Sequence, residues 1–181
     1  MSQKPSASYV VDANVLIDYC DSDLRMLSLF SQHIGTTYIA RSTFEKVNQL
    51  TVAAARRHNL RIETPDPEII MAASARRGSL AYDDHETLML AKRHGWICIT
   101  NDKPLRRECE TEGVVCLWGL EPMKALVEHG IVSVSKVLTV AKMIQSVNPG
   151  FISDTIMDRF EEQVREIQEG LKRSDGDHYG A

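Results

Sequence analysis

Five short runs rich in β-branched, aromatic and aliphatic residues alternate with helical stretches, and this alternation constrains the fold more than any other feature of the chain. The runs are residues 9–11 (YVV), 36–40 (TTYIA), 60–63 (LRIE), 96–100 (WICIT) and 114–117 (VVCL). Each has strand length, and each is composed of residues that suit a pleated, partly buried surface. Between the first two, Leu24, Leu27, Leu29, Phe30 and Ile34 recur at helical spacing, and Gly35 follows as a stop. Ser42 and Glu45 stand three apart after the second run, which predicts a helix opened by a capping box. Asp66 between two prolines opens another helix. Residues 83–92 (DDHETLMLAK) open a further one, with Asp83 and Glu86 available as caps and Gly95 as its stop. Pro104, just after Asp102, suits the first turn of the next. Strand and helix in strict turn imply an α/β fold, a parallel sheet covered by helices on both faces.

Past Gly119 the pattern is helical only, over residues 123–129, 134–144 and 152–171. This divides the chain into a sheet domain (1–119), a helical extension of the same domain (120–173) and a polar tail (174–181) expected to be disordered. In the last helix Ile152, Ile156, Phe160, Val164, Ile167 and Leu171 form one apolar stripe. The stripe is expected to dock on the core or on a second subunit. At 43% hydrophobic and 25% charged residues, the 181-residue chain has the composition of an ordinary globular protein. It offers no membrane-length apolar run, and the opening MSQKPSAS has no apolar core of a secretory signal.

The polar residues at the turns carry the chemistry. In an open parallel sheet, ligands bind beyond the carboxyl ends of the strands. Asp12 follows the first strand, Glu45 lies just beyond the second, Asp84 opens the helix before WICIT, and Asp102 follows that strand. Each has an ordinary alternative as a helix cap or first-turn acid. Four acids on one edge repel one another and raise each other's pKa values, and a divalent cation relieves this. Oxygen-only donors suit Mg²⁺ or Mn²⁺, and such ions assist phosphodiester hydrolysis. Lys103, Arg106 and Arg107 follow Asp102 closely and are candidate phosphate contacts. Arg76, Arg77, Arg56 and Arg57 are weaker candidates, and His85 reads as a surface histidine. The net charge of −4 and pI near 5.9 give no overall basic footprint. The four cysteines, Cys20, Cys98, Cys109 and Cys116, form no C-x-x-C pair, and no histidine spacing completes a zinc site. Cys98 and Cys116 fall in apolar runs and read as buried reduced thiols, which suits the cytoplasm.

Taken together, Val11-Asp12-Ala13-Asn14, Ser42-x-x-Glu45, Asp84 ahead of Leu88-x-Leu90-Ala91, and Thr100-Asn101-Asp102 resemble the PIN-domain family over residues 9–117. The resemblance implies a PIN-like three-layer α/β/α fold with parallel strand order 3-2-1-4-5. It implies Mg²⁺- or Mn²⁺-dependent endoribonuclease activity, with Asp12, Glu45, Asp84 and Asp102 as catalytic metal ligands. Asn14 and Thr100 match small polar supporting positions. The helical extension resembles a longer prokaryotic subgroup. Many relatives are VapC-type toxins neutralised by a small antitoxin, and relatives are often homodimers, so both partners are expectations here. Two alternatives stand beside this reading. One is a catalytically silent PIN-like module that binds RNA or protein. The other is a HAD-type phosphatase, whose D-x-D motif Asp12-Ala13-Asn14 imitates without its second acid.

Overall fold

β1 (Ala7–Val11) is the middle of a five-stranded, wholly parallel sheet in the order β3-β2-β1-β4-β5. The structure is a computed structural model that describes residues 7–176. The expectation about the secretory signal therefore lies mostly outside the described residues. In chain order β1 is followed by α1 (Ala13–Asp21), α2 (Arg25–His33), β2 (Gly35–Ala40), α3 (Arg41–Lys46), α4 (Val52–Arg57) and β3 (Leu60–Glu63). Then come α5 (Pro67–Ala75), α6 (Tyr82–His94), β4 (Ile97–Ile99), α7 (Lys103–Thr111) and β5 (Cys116–Leu117). The strand order is the one that the PIN resemblance implies.

Alternation along β1 sets the two faces of the sheet, since successive side chains in a strand point to opposite sides. Val10 packs with Leu88 of α6 and with Leu105 and Cys109 of α7. Tyr9 points the other way and meets Phe30 of α2 edge-on, with ring centroids 4.8 Å apart. α2 does end just before Gly35, although without a left-handed glycine cap. Gly35 is the first residue of β2, and a Cβ there would run into the Tyr9 ring and, at 2.6 Å, the Ala7 carbonyl oxygen. Gly95 does end α6, in the left-handed region at φ 66°, as the sequence predicts.

The chain divides into two compact units, one ending at Gly119 and the other beginning at Leu120. The second contains α8 (Glu121–Glu128), α9 (Val134–Val147) and α10 (Asp154–Gly176). α10 packs on α8 and α9 of its own unit. The apolar stripe needs correcting: Ile156 is 43% exposed, whereas Met157, Phe160 and Val164 are buried. A shift of one position along the helix moves the contact line, because Met157 reaches the neighbouring helices where Ile156 does not. α10 also runs to Gly176, so the expected tail begins as helix. Its remainder, 177–181, lies outside the described residues. Among the described residues no helix is long and apolar enough to cross a membrane.

Candidate active site

Parallel strands bring the segments after β1, β2 and β4 to one edge of the sheet. The first of these segments carries Asp12, which has extended backbone and caps α1. Its Oδ1 accepts the Val15 amide at 2.8 Å. The third carries Asp102, whose Oδ1 accepts the Leu105 amide at 2.7 Å and caps α7. Both acids are thus N-caps, but capping occupies only part of a carboxylate, which has about four acceptor sites. Thr100 joins them. Its hydroxyl donates to Asp12 Oδ2 and accepts the Asp102 amide at 3.0 Å. Thr100 is fully buried and Asp12 is 2% exposed.

Burial pushes the Asp12 carboxyl up to about 7. The Thr100 hydroxyl and the Val15 amide oppose that rise, and the charges of Asp84 and Asp102 add to it. Asp84 is the third residue of α6, where its Oδ2 accepts the Ala81 amide at 3.3 Å. Its pKa is raised as well, first by burial and then by Asp83 and Asp102, with Lys46 opposing. Burial and neighbouring carboxylates thus disfavour the ionised forms of both Asp12 and Asp84.

Sequence reasoning missed two residues here. Lys46, at the end of α3, pairs with Asp83 at 2.8 Å, and Asp84 and Asp12 also favour its charged form. Glu86 is 2% exposed, and its Oε1 accepts the Ser42 amide at 3.1 Å. This overturns the expected capping box. α3 starts at Arg41, Ala40 occupies the cap position with no side-chain hydrogen bond, and an acid from α6 satisfies the Ser42 N–H instead. The signal for Glu86 lay in DDHETLMLAK, where it was read as a cap for its own helix.

Glu45 is exposed on the last turn of α3, and Asn14 is exposed on the first turn of α1. Asn14 takes no part in the Asp12–Thr100–Asp102 hydrogen bonds. His85 is buried at 5% exposure rather than superficial, and its pKa is lowered by burial and then by Arg76. Arg76 itself is bound to Glu108 and Glu112 at 2.9 and 2.8 Å, so it serves as a structural tie between α5 and α7. Lys103, Arg106 and Arg107 line one cavity of about 530 Å³ with Trp118. Of the three, Arg106 is committed: Nη1 donates to the carbonyls of Thr100 and Leu117 at 3.1 and 2.9 Å, and the guanidinium lies 3.6 Å from the Trp118 ring centroid. The end of β5 is also fixed. Tyr19 Oη donates to the Gly119 carbonyl at 2.7 Å, and Asn101 Oδ1 accepts the Gly119 amide at 2.8 Å.

Among the described residues, no three of the site's carboxylates have oxygens mutually within 4.8 Å. An ion such as Mg²⁺ or Mn²⁺ keeps several waters and takes only one or two carboxylates directly, so it does not require three carboxylates in contact. The buried, partly protonated Asp12 fits too, because nearby positive charge would restore its ionised form.

Fold and site together define a class: a three-layer parallel α/β protein with a carboxylate cluster at the carboxyl edge of its sheet. No family model matches the chain, and no curated protein matches it. Among solved structures it is similar to a PilT N-terminus (PIN) domain protein from the hyperthermophilic archaeon Sulfolobus solfataricus. The identity is 15% and the TM-score 0.48, over 65% of this chain and 92% of that one.

Proposed function

We propose that the protein is a metal-dependent endoribonuclease that hydrolyses RNA phosphodiester bonds at the Asp12 edge of the sheet. The observation that carries this reading is Asp12 itself. It is a buried carboxylate at a strand end, held through Thr100 to Asp102 and facing the charge of Asp84. A purely structural cap does not require two further acids around it. Asp12, Asp84 and Asp102 would hold Mg²⁺ or Mn²⁺, and Glu45, exposed at the end of α3, is the fourth acid of the proposed set. When bound, such an ion supplies Lewis acidity for the attacking water and the leaving oxygen. Thr100 ties the Asp12 carboxylate to the Asp102 backbone amide. Lys46 balances part of the negative charge on the α6 side. Lys103 and Arg107 offer phosphate contacts beside Asp102, and Arg106 holds their cavity in shape.

The test is incubation of structured and single-stranded RNAs with pure protein in Mg²⁺, in Mn²⁺ and in excess chelator. Cleavage confined to the metal-containing reactions is expected. Cleavage that persists in chelator would remove the metal from the account. Glu45 is assayed in the same way: Glu45→Gln is expected to lower both cleavage and the rise in melting temperature that Mg²⁺ produces, whereas a variant unchanged in both would exclude Glu45 from the site. We propose further that it is the toxin of a toxin–antitoxin pair, a homodimer restrained by a small antitoxin. The expected finding is a small reading frame beside its gene whose co-expression relieves growth arrest; without one, a housekeeping nuclease is the reading.

One observation favours a second reading, a silent RNA- or protein-binding module. It is the spread of the acids beyond 4.8 Å. RNA binding without cleavage in either metal would select it.

A further inference from the structure

Three of the four thiols meet on the sheet face covered by α6 and α7. Cys98 and Cys116 are register partners on the adjacent parallel strands β4 and β5, so both side chains leave the same face. Cys109, on α7, joins them, and the three Sγ atoms lie within 4.8 Å of one another. They are separated along the sequence without any motif, and only the β4–α7–β5 crossover gathers them. Cys98 and Cys109 are buried, while Cys116 is half-buried and lines the cavity of about 530 Å³ beside Arg106 and Arg107.

Packing accounts for part of this. Cys98 and Cys109 sit among Val10, Leu88 and Leu105 as small apolar side chains would. It does not account for a third sulfur meeting them at a cavity wall. A disulfide joins two sulfurs and leaves the third unused. A metal takes all three, because zinc–sulfur bonds of about 2.3 Å in tetrahedral array leave the sulfurs nearly 4 Å apart, inside the 4.8 Å within which these Sγ atoms lie.

We propose that Cys98, Cys109 and Cys116 form a trithiolate site for a thiophilic divalent cation of the zinc class, separate from the oxygen site at the acid edge. Charge supports a divalent occupant. Three thiolates are balanced by one such cation together with the Arg106 guanidinium; without metal, hydrogen bonds among the sulfurs and burial hold Cys98 and Cys109 as thiols, with Arg106 opposing this at Cys109. Loading releases the thiol protons to solvent. The fourth position faces the cavity and is completed by water, as in zinc sites with three protein ligands. Sulfur donors select this cation against Mg²⁺, and the carboxylates select the reverse. Occupancy would tie together β4, β5 and α7, and Thr100 and Asp102 lie in the connection between β4 and α7.

The experiment is a titration of the full-length, reduced protein with Cd²⁺ and then Zn²⁺, anaerobically and with excess Mg²⁺ present. The expected result is saturation at one equivalent of Cd²⁺ with a thiolate-to-metal charge-transfer band. Three of the four thiols should then be protected from a thiol reagent. Cys20→Ser should behave as wild type, as should Asp102→Asn, which separates this site from the proposed nuclease site. Cys116→Ser, at a half-buried position that tolerates a hydroxyl, should lose the band and bind at least about tenfold more weakly. The proposal is overturned if reduced wild-type protein gives no band, if Cys116→Ser keeps full affinity, or if the only reaction of the cluster is oxidation to a disulfide.

Discussion

Replacing Asp12 by Asn isolates the charge of one buried carboxyl. The native pKa of Asp12 is raised from 3.8 to about 7, so the folded state holds this proton over a range in which the unfolded chain has released it. The stability that Asp12 contributes is therefore fully present below about pH 4 and is lost as pH rises through 7. At 1.36 kcal/mol per pKa unit, the loss across that window is at most roughly 4 kcal/mol. Asn keeps an oxygen for the Val15 amide. Its Nδ2 can donate to Thr100 Oγ1, which has a second lone pair besides the one that accepts Asp102 N–H. The variant thus keeps a bond to Thr100 with its direction reversed and drops the titration; the Thr100 hydroxyl proton loses Asp12 Oδ2, a cost that is the same at every pH. Urea unfolding in chelator at pH 5 and pH 8.5 measures the effect. Asp12→Asn is expected to be more stable than wild type at pH 8.5, with a smaller margin at pH 5. Groups that do not interact with Asp12 cancel in the difference between the two proteins; Asp84, whose charge acts on Asp12, belongs to the effect measured. Parallel stability–pH curves for wild type and variant would refute the reasoning, because Asp12 would then titrate like a solvated acid.

Two further substitutions test the scaffold by thermal melting. Glu86→Ala strands the Ser42 N–H and should cost about 1–3 kcal/mol, whereas Glu86→Gln keeps an acceptor and should cost clearly less. Gly119→Ala places a Cβ 2.6 Å from Asn101 Nδ2 and should cost about 1–3 kcal/mol; a neutral result there would show that the Asn101 clasp on β5 yields easily.

The strands and two of the helix caps were legible because short-range chemistry determines them, whereas the strand order came from the family resemblance. Asp12 and Asp102 each bond the amide three residues on, and Gly95 takes the one backbone conformation that asks for glycine. What sequence could not show depends on distant partners. Ser42 and Glu45 have the spacing of a capping box, but the Ser42 amide is satisfied by Glu86, 44 residues away. The cysteines carry no metal-binding spacing and meet only because β4, α7 and β5 fold back on one another. In α10 the periodicity was visible, but whether Ile156 or Met157 faces α8 and α9 depends on rotation about the helix axis, which the stripe leaves open by one position. The acids at the site were legible as residue types at strand ends. Their protonation was not, because it follows from how deeply Asp12 is buried.

The most direct test of the nuclease reading is the cleavage rate of labelled single-stranded RNA in Mg²⁺ by Asp102→Asn against wild type. Asn caps helices as well as Asp does, so the Leu105 amide keeps its partner and the melting temperature should barely move. The carboxylate charge is gone, and cleavage should fall roughly a hundredfold, the scale on which one electrostatic contact to a transition state is felt. A variant that melts like wild type and cuts RNA at the wild-type rate would show that Asp102 is only a helix cap, and that the acid edge is not where RNA is cut.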